Sequence, residues 1–216
     1  LDTPGFDAAD LSTLITVTTC LCELRLLDRK GEYERAADME EMVKQAMIHL
    51  EDRLPKENEL EFDLLLSTIQ FGAGNPSRSL YWLNKVLNDP EPALRQDIFT
   101  YARLFNLVVH YELGNFELLE YIVRSTQRFL NKRHRAYGVE AALIEHVKKL
   151  ARRTTPETRR QLFASLHARL DELMKDPNEE AVLKYFNISA WAVSKLKEVP
   201  FAEVVRKAAL RPGAGR

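Results

Sequence analysis

Gly31, Gly74 and Gly114 recur 43 and 40 residues apart, and each interrupts an amphipathic helical pattern. Glycine readily takes the left-handed conformation that follows a helix end, so each one marks the turn of a helical hairpin. Two positions further on stand Tyr33, Pro76 and Phe116, each placing a ring after the turn. Five positions after the glycine come Ala36, Ser79 and Leu119, where the second helix of a pair presses on the first. Pro55, Pro90 and Pro92 separate successive pairs. Self-similarity at this period specifies stacked hairpins, each burying its apolar stripe against the next.

The periodicity between the glycines agrees. Leu11, Leu14, Ile15, Val17, Leu21, Leu24 and Leu27 fall in three- and four-residue steps, predicting a helix over 8–29. Ala36, Met39, Val43, Met47 and Leu50 predict a second over 33–53. Leu60 to Ile69 mark a third, Leu80 to Leu87 a fourth, and further helices are predicted over 92–113 and 116–132. Beyond Gly138, caps replace glycine. Thr155-Pro156-Glu157 supplies a hydroxyl cap, a first-turn proline and an acid at the positive helix end. Asp176-Pro177 repeats the device, giving helices over 138–153, 156–175, 178–197 and 200–210. The expected fold is all-α: an α-solenoid of about ten helices in stacked antiparallel hairpins. It forms a single domain over 1–210, followed by a flexible tail at 211–216.

Lys30-Gly-Glu-Tyr-Glu-Arg-Ala-Ala37 and Leu113-Gly-Asn-Phe-Glu-Leu-Leu119 resemble the glycine–aromatic–small turn of tetratricopeptide (TPR) repeats, in a degenerate register. Ser67 matches the small residue that family prefers seven positions before the glycine, whereas Leu24 and Leu107 do not. Tyr185-Phe186, Trp191, Lys195 and Pro200-Phe201-Ala202-Glu203 are similar to the closing part of uncharacterised bacterial TPR-like proteins. The resemblance implies a right-handed stack with a concave face and brings no activity with it. The carboxylate clamp of some TPR domains is not carried over: Arg103 and Asn106 lie on a first helix, but its neighbours hold no matching set.

Composition excludes several classes. Hydrophobic residues at 45% and charged residues at 29% are those of a folded chain. Eight glycines are too few for an all-β sandwich, and two cysteines rule out a disulfide scaffold. No apolar run approaches the roughly 18 residues of a membrane span, and no signal peptide is visible. A cytoplasmic location without membrane insertion is therefore expected.

No catalytic, metal or cofactor site is expected. None of His49, His110, His134, His146 and His167 forms the i, i+4 pair with a flanking Glu that a helical zinc site needs. Cys20-Leu-Cys22 projects its thiols to different sides of a helix and reads as core filler. Gly72-Ala-Gly74 follows no strand, so it is no phosphate loop. Asn187-Ile-Ser189 is formally a glycosylation sequon inside a predicted helix. Glu40-Glu41 and Glu179-Glu180 fall on expected solvated faces. An enzyme would have to gather residues such as His110, Tyr111 and Glu112 in a deep pocket.

Charge carries the strongest functional signal. Residues 1–123 have a net charge of −11, and residues 124–160 a net charge of +8. Arg124, Arg128 and Lys132 follow four-residue steps on one helix, and Arg133, His134 and Arg135 extend the positive stripe. Lys148, Lys149, Arg152, Arg153, Arg159 and Arg160 follow in the next hairpin. Antiparallel packing would set these at the opposite end of the stack. The stripe reads as an anion-binding surface or as a solvated face balancing the acidic half. Trp82, beside Tyr81, is a second candidate anchor if the pair protrudes. The expected function is a non-catalytic protein–protein interaction or scaffold module for a protein or peptide partner. Arg124, Arg128, Lys132, Arg133, Arg135 and Trp82 are the candidate contacts. A nucleic-acid-associated role through 124–160 is the alternative, and self-association is left open.

Overall fold

The computed structural model describes residues 8–50, 53–132, 137–152, 154–180 and 185–210. Among them every regular element is helical and no strand occurs. The first half comprises α1 (Ala8–Lys30), α2 (Tyr33–Asp38), α3 (Glu40–His49), α4 (Lys56–Gly72), α5 (Pro76–Leu87) and α6 (Gln96–Glu112). The second comprises α7 (Phe116–Leu130), α8 (Gly138–Leu150), α9 (Pro156–Leu173), α10 (Pro177–Glu180), α11 (Ile188–Lys197) and α12 (Phe201–Ala209). The tail at 211–216 and the basic residues Arg133 and Arg135 lie outside the described residues.

The repeat glycines sit as their spacing predicts. Gly31, Gly74 and Gly114 have φ of 69°, 81° and 70°. In each turn the next amide reaches a carbonyl five residues back: Glu32 to Leu27 at 2.9 Å, Asn75 to Gln70 at 2.8 Å and Asn115 to His110 at 3.1 Å. This bond satisfies a carbonyl the helix end would otherwise leave open. A fourth turn, between α11 and α12, closes in the same way, with Val199 N bonded to Ser194 O at 3.0 Å. Its left-handed residue is Glu198, at φ 54°. No glycine marks this hairpin, so counting glycines misses it.

Three helix boundaries differ from expectation. The helix predicted over 33–53 is divided at Met39, whose amide bonds three residues back to Ala36 instead of four. α6 starts at Gln96 and not at 92, because the Asp89 side chain takes the Glu91 amide at 2.9 Å and holds a turn there. The span 178–197 is not one helix. α10 ends at Glu180, and Asn187 starts α11 afresh by accepting the Ala190 amide at 2.8 Å, the capping role asparagine favours. The predicted Thr155 cap is present, accepting from Thr158 N at 3.2 Å.

Successive helices from α4 to α9 pack in order, and α1, α4, α6 and α8 also pack one on the next. Two contacts go beyond a sequential stack: α11 packs on α9, and α12 on α1. Arg206 of α12 donates from Nε to Gly31 O at 2.9 Å and from Nη2 to both Glu34 carboxylate oxygens. The last helix thus lies on the first.

Every residue from Leu60 to Gly72 of α4 is buried, and α6 is buried nearly throughout. Helices buried on all sides occupy the centre of a fold, and polar groups of α4 are partnered there, Glu61 by Arg25, Asp63 by Lys85 and Gln70 by Glu40. Gly72 shows how tight the seam is, since a Cβ there would fall inside the Tyr33 ring. The left-handed conformation costs an L-residue roughly 1–2 kcal/mol. Glu198→Gly should therefore stabilise the protein by about 1 kcal/mol, the strain relief less the extra backbone entropy of glycine. Gly114→Ala, whose Cβ meets nothing within 4 Å, should destabilise it by about 1 kcal/mol through φ alone. Urea denaturation midpoints of both variants test the shared turn; shifts of the same sign would refute it.

Candidate interaction surface

α7 packs on α6 and α8 through Leu119, Val123 and Thr126 and turns its other side to solvent. That side carries Leu118 and Tyr121, 47% and 61% exposed, followed by the exposed Arg124, Arg128 and Lys132. Steps of three, three and four residues place Leu118, Tyr121, Arg124 and Arg128 on one helical row, apolar at one end and basic at the other, with Lys132 in the turn just past the end of α7. Arg124 Nε contacts only the Glu120 carbonyl, at 3.4 Å, and none of the three cations forms an ion pair among the described residues. The other basic cluster lies elsewhere. Arg159, in the first turn of α9, sits close enough to Tyr111 at the end of α6 to act on its hydroxyl. Arg159 therefore lies at the Gly114 end of the hairpin, with Arg128 and Lys132 at the other. The 15 residues of α7 separate the two by roughly 22 Å.

Trp82 does not protrude. It is 1% exposed and belongs to the core that joins α1 to α4 and α5. Its amphipathic helix directs it inward, and Tyr81, one residue earlier, takes the exposed position at 46%. Arg78 lies 4.5 Å over the Tyr81 ring and Lys85 lies 4.6 Å over Trp82, so both faces of this corner are occupied by cations.

His110, Tyr111 and Glu112 are engaged in packing and hydrogen bonds within the fold. Asn115 bonds His110 Nδ1 at 3.1 Å, and Tyr111 packs edge-on against Trp191 and Phe163. Glu112 accepts from Trp191 Nε1 at 2.7 Å and from Lys195 Nζ. Arg103, the clamp-like residue of α6, stacks 4.5 Å over Phe129 of α7, and burial depresses its pKa. Two carboxylates expected on solvated faces are not there. Glu40 is buried and bonded by Gln70 and Arg78, and Glu179 accepts the Gly138 and Val139 amides at 2.8 and 2.9 Å. The latter caps the positive end of α8 from about forty residues away.

A groove of about 740 Å³ opens between α9, α11 and α12 over Met174, Ala190, Val193 and Val204. At its rim Ser189, His167 and Asp171 meet, a grouping sequence spacing did not suggest. Ser189 Oγ and Asp171 Oδ1 both approach His167 Nδ1 at 3.4 Å. A hydrolytic relay needs the hydroxyl on one ring nitrogen and the carboxylate on the other, so these three do not form one. Among the described residues no group of His, Cys, Asp and Glu could hold a metal ion, and no helix is long and apolar enough to cross a membrane. Comparison with protein-family models, curated proteins and solved structures returns no match.

A charged cleft of about 160 Å³ lies between α1 and α4, lined by Arg25, Asp28, Glu61 and Tyr185. Burial pushes the Asp28 carboxyl up to about 7, against a hydrogen bond from Tyr33 that lowers it. Burial likewise raises Asp63, beside Lys85, to about 6. The folded state holds these protons more tightly than the unfolded chain, so both groups take stability away as pH rises from about 4 to 7. Asp97 does the reverse: Arg95 and Tyr185 hold it down to about 2, and its contribution is lost in acid. Asp28→Asn should raise the thermal midpoint at pH 8, and the variant and parent curves should converge near about pH 4. Thermal unfolding followed by circular dichroism checks this, and an offset independent of pH would exclude Asp28 as the cause.

Proposed function

We propose that this chain is a non-catalytic protein-interaction module, a degenerate TPR-like solenoid of helical hairpins. It binds an acidic, partly apolar segment of a protein or peptide on the outer face of α7. The observation that carries this is the row Leu118, Tyr121, Arg124, Arg128 and Lys132, an aromatic and apolar patch continuous with exposed cations that form no ion pair among the described residues. Aromatic and arginine side chains are the usual anchors of interfaces, and unpaired cations steer an acidic partner into register. The rigidity of α7, packed on two neighbours, holds these side chains in fixed spacing.

Partners captured by the parent from the source lysate should be lost when Arg124, Arg128, Lys132 and Arg133 are changed together to Glu. Capture should also weaken as salt rises, because the contact is charged and exposed. Tyr121→Ala should reduce capture without changing the salt dependence. Nuclease-sensitive capture would favour the nucleic-acid role of 124–160 instead; the splitting of its basic residues between two ends of a hairpin speaks against that role. Identical capture by parent and charge-reversed variant would overturn the assignment to α7.

A further inference from the structure

α1 buries Thr13, Val17, Leu21, Leu24 and Leu27 against the rest of the molecule. Its opposite side is open and apolar. Leu11, Ile15 and Leu26 are 38%, 56% and 51% exposed, Leu14 beside them is 62% exposed, and Cys22 is exposed. Cys22 is thus not the core filler its position in an apolar run suggested, whereas Cys20 faces Val17, Val43 and Met47. The exposed row reads Leu11, Ile15, Thr18 or Thr19, Cys22, Leu26. Its steps of four with one of three keep these side chains on one side of the helix. They are also the same from either end, because the row is symmetric about the point between Thr18 and Thr19.

We infer that this face is a homodimer interface, in which α1 pairs antiparallel with α1 of a second copy about a two-fold axis between Thr18 and Thr19. In that arrangement Leu11 lies opposite Leu26 of the second copy, and Ile15 opposite its Cys22. Charge selects this occupant over others. From Leu11 to Cys22 the chain has no charged residue. A two-fold contact brings the same surface against itself, so this uncharged stretch meets no repulsion in self-pairing; the exposed Glu23 and Arg25 stand beyond Cys22, towards the end of the contact. It offers nothing to an acidic or basic partner, whose recognition depends on complementary charge. Antiparallel pairing also sets the helix dipoles head to tail. This face is separate from α7 and does not depend on the function proposed for it.

Sedimentation velocity of the whole chain across a concentration series should show a reversible dimer that persists in high salt. Ile15→Lys should weaken it by more than about 30-fold, the loss expected of a central anchor. Its circular dichroism should be unchanged, since Ile15 is exposed. Ile15→Lys combined with Cys22→Glu should restore the dimer, because each lysine then meets a glutamate of the other copy. Under mild oxidation Thr18→Cys, with Cys20 and Cys22 changed to Ser, should form a disulfide-linked dimer. A monomer at every concentration, or a dimer untouched by Ile15→Lys, would overturn the proposal. Rapid Cys22–Cys22 cross-linking in the parent would overturn the antiparallel register. Changing Arg124, Arg128 and Lys132 to Glu should leave the dimer intact, which keeps failure here distinct from failure of the α7 assignment.

Discussion

Phe186 sits among rings from three helices: Phe105 of α6 at 4.4 Å, Phe71 of α4 at 5.2 Å and Phe201 of α12 at 5.2 Å between centroids. Tyr33 extends the cluster to α2 through Phe201, and a second ring group, Trp191 with Tyr111 and Phe163, ties α11 to α6 and α9. Aromatic side chains bury large areas and favour edge-to-face contacts, so this seam joins elements that lie far apart in sequence. Its geometric consequence is that residues 185–209 cover α4 and α6 where a hairpin stack would otherwise leave an inner face. A concave groove over these two helices is therefore not available at Phe71, Tyr101 and Phe105.

Polar groups fix the register that the rings alone would leave loose. Glu112 takes the Trp191 indole and the Lys195 ammonium together, tying α11 to the end of α6. At the other end of α6, the Tyr185 hydroxyl donates to Asp97 at 3.0 Å and accepts from Arg95 at 2.8 Å. Arg95 also approaches Glu61, which is paired with Arg25 of α1. A satisfied network of this kind rigidifies and specifies one arrangement, while a half-satisfied one costs heavily. The apolar seam and the two polar ties thus act on the same segment, and the segment closes the first helix onto the last.

The hairpins were legible because their signals are local. A left-handed glycine, a proline in a first turn and a hydroxyl cap each act within a few residues, so Gly31, Gly74, Gly114 and Thr155 could be placed from the chain alone. The break in the span 178–197 is not legible in the chain, because Asn187 looks like any polar helix residue until its side-chain carbonyl meets the Ala190 amide. The burial of Glu40 and the capping by Glu179 are not legible either, because their partners, Arg78 and the start of α8, are close only after folding. Trp82 and Tyr81 illustrate the limit of adjacency: neighbours on a helix point about 100° apart, and one ring is core while the other is surface. Of the candidate site, the spacing of Arg124, Arg128 and Lys132 was readable. That Leu118 and Tyr121 continue their row was not, because the same residues could have been core.

With the centre closed, the two open faces of α7 and α1 lie on the outside, and they differ in chemistry. α7 joins apolar and aromatic side chains to cations that form no ion pair among the described residues, so binding of the kind proposed there would depend on ionic strength and on the partner's charge. α1 presents leucine, isoleucine and threonine with no charge between Leu11 and Cys22, a surface that salt does not weaken and that only matching apolar shape can recognise. The faces lie on helices at different places in the fold, share no side chain, and are held by separate clusters of the core. Perturbations at such sites combine additively when no partner is common to both. If both proposals hold, the dimer would present two copies of the basic row, which would raise its effective concentration for a partner with two acidic segments.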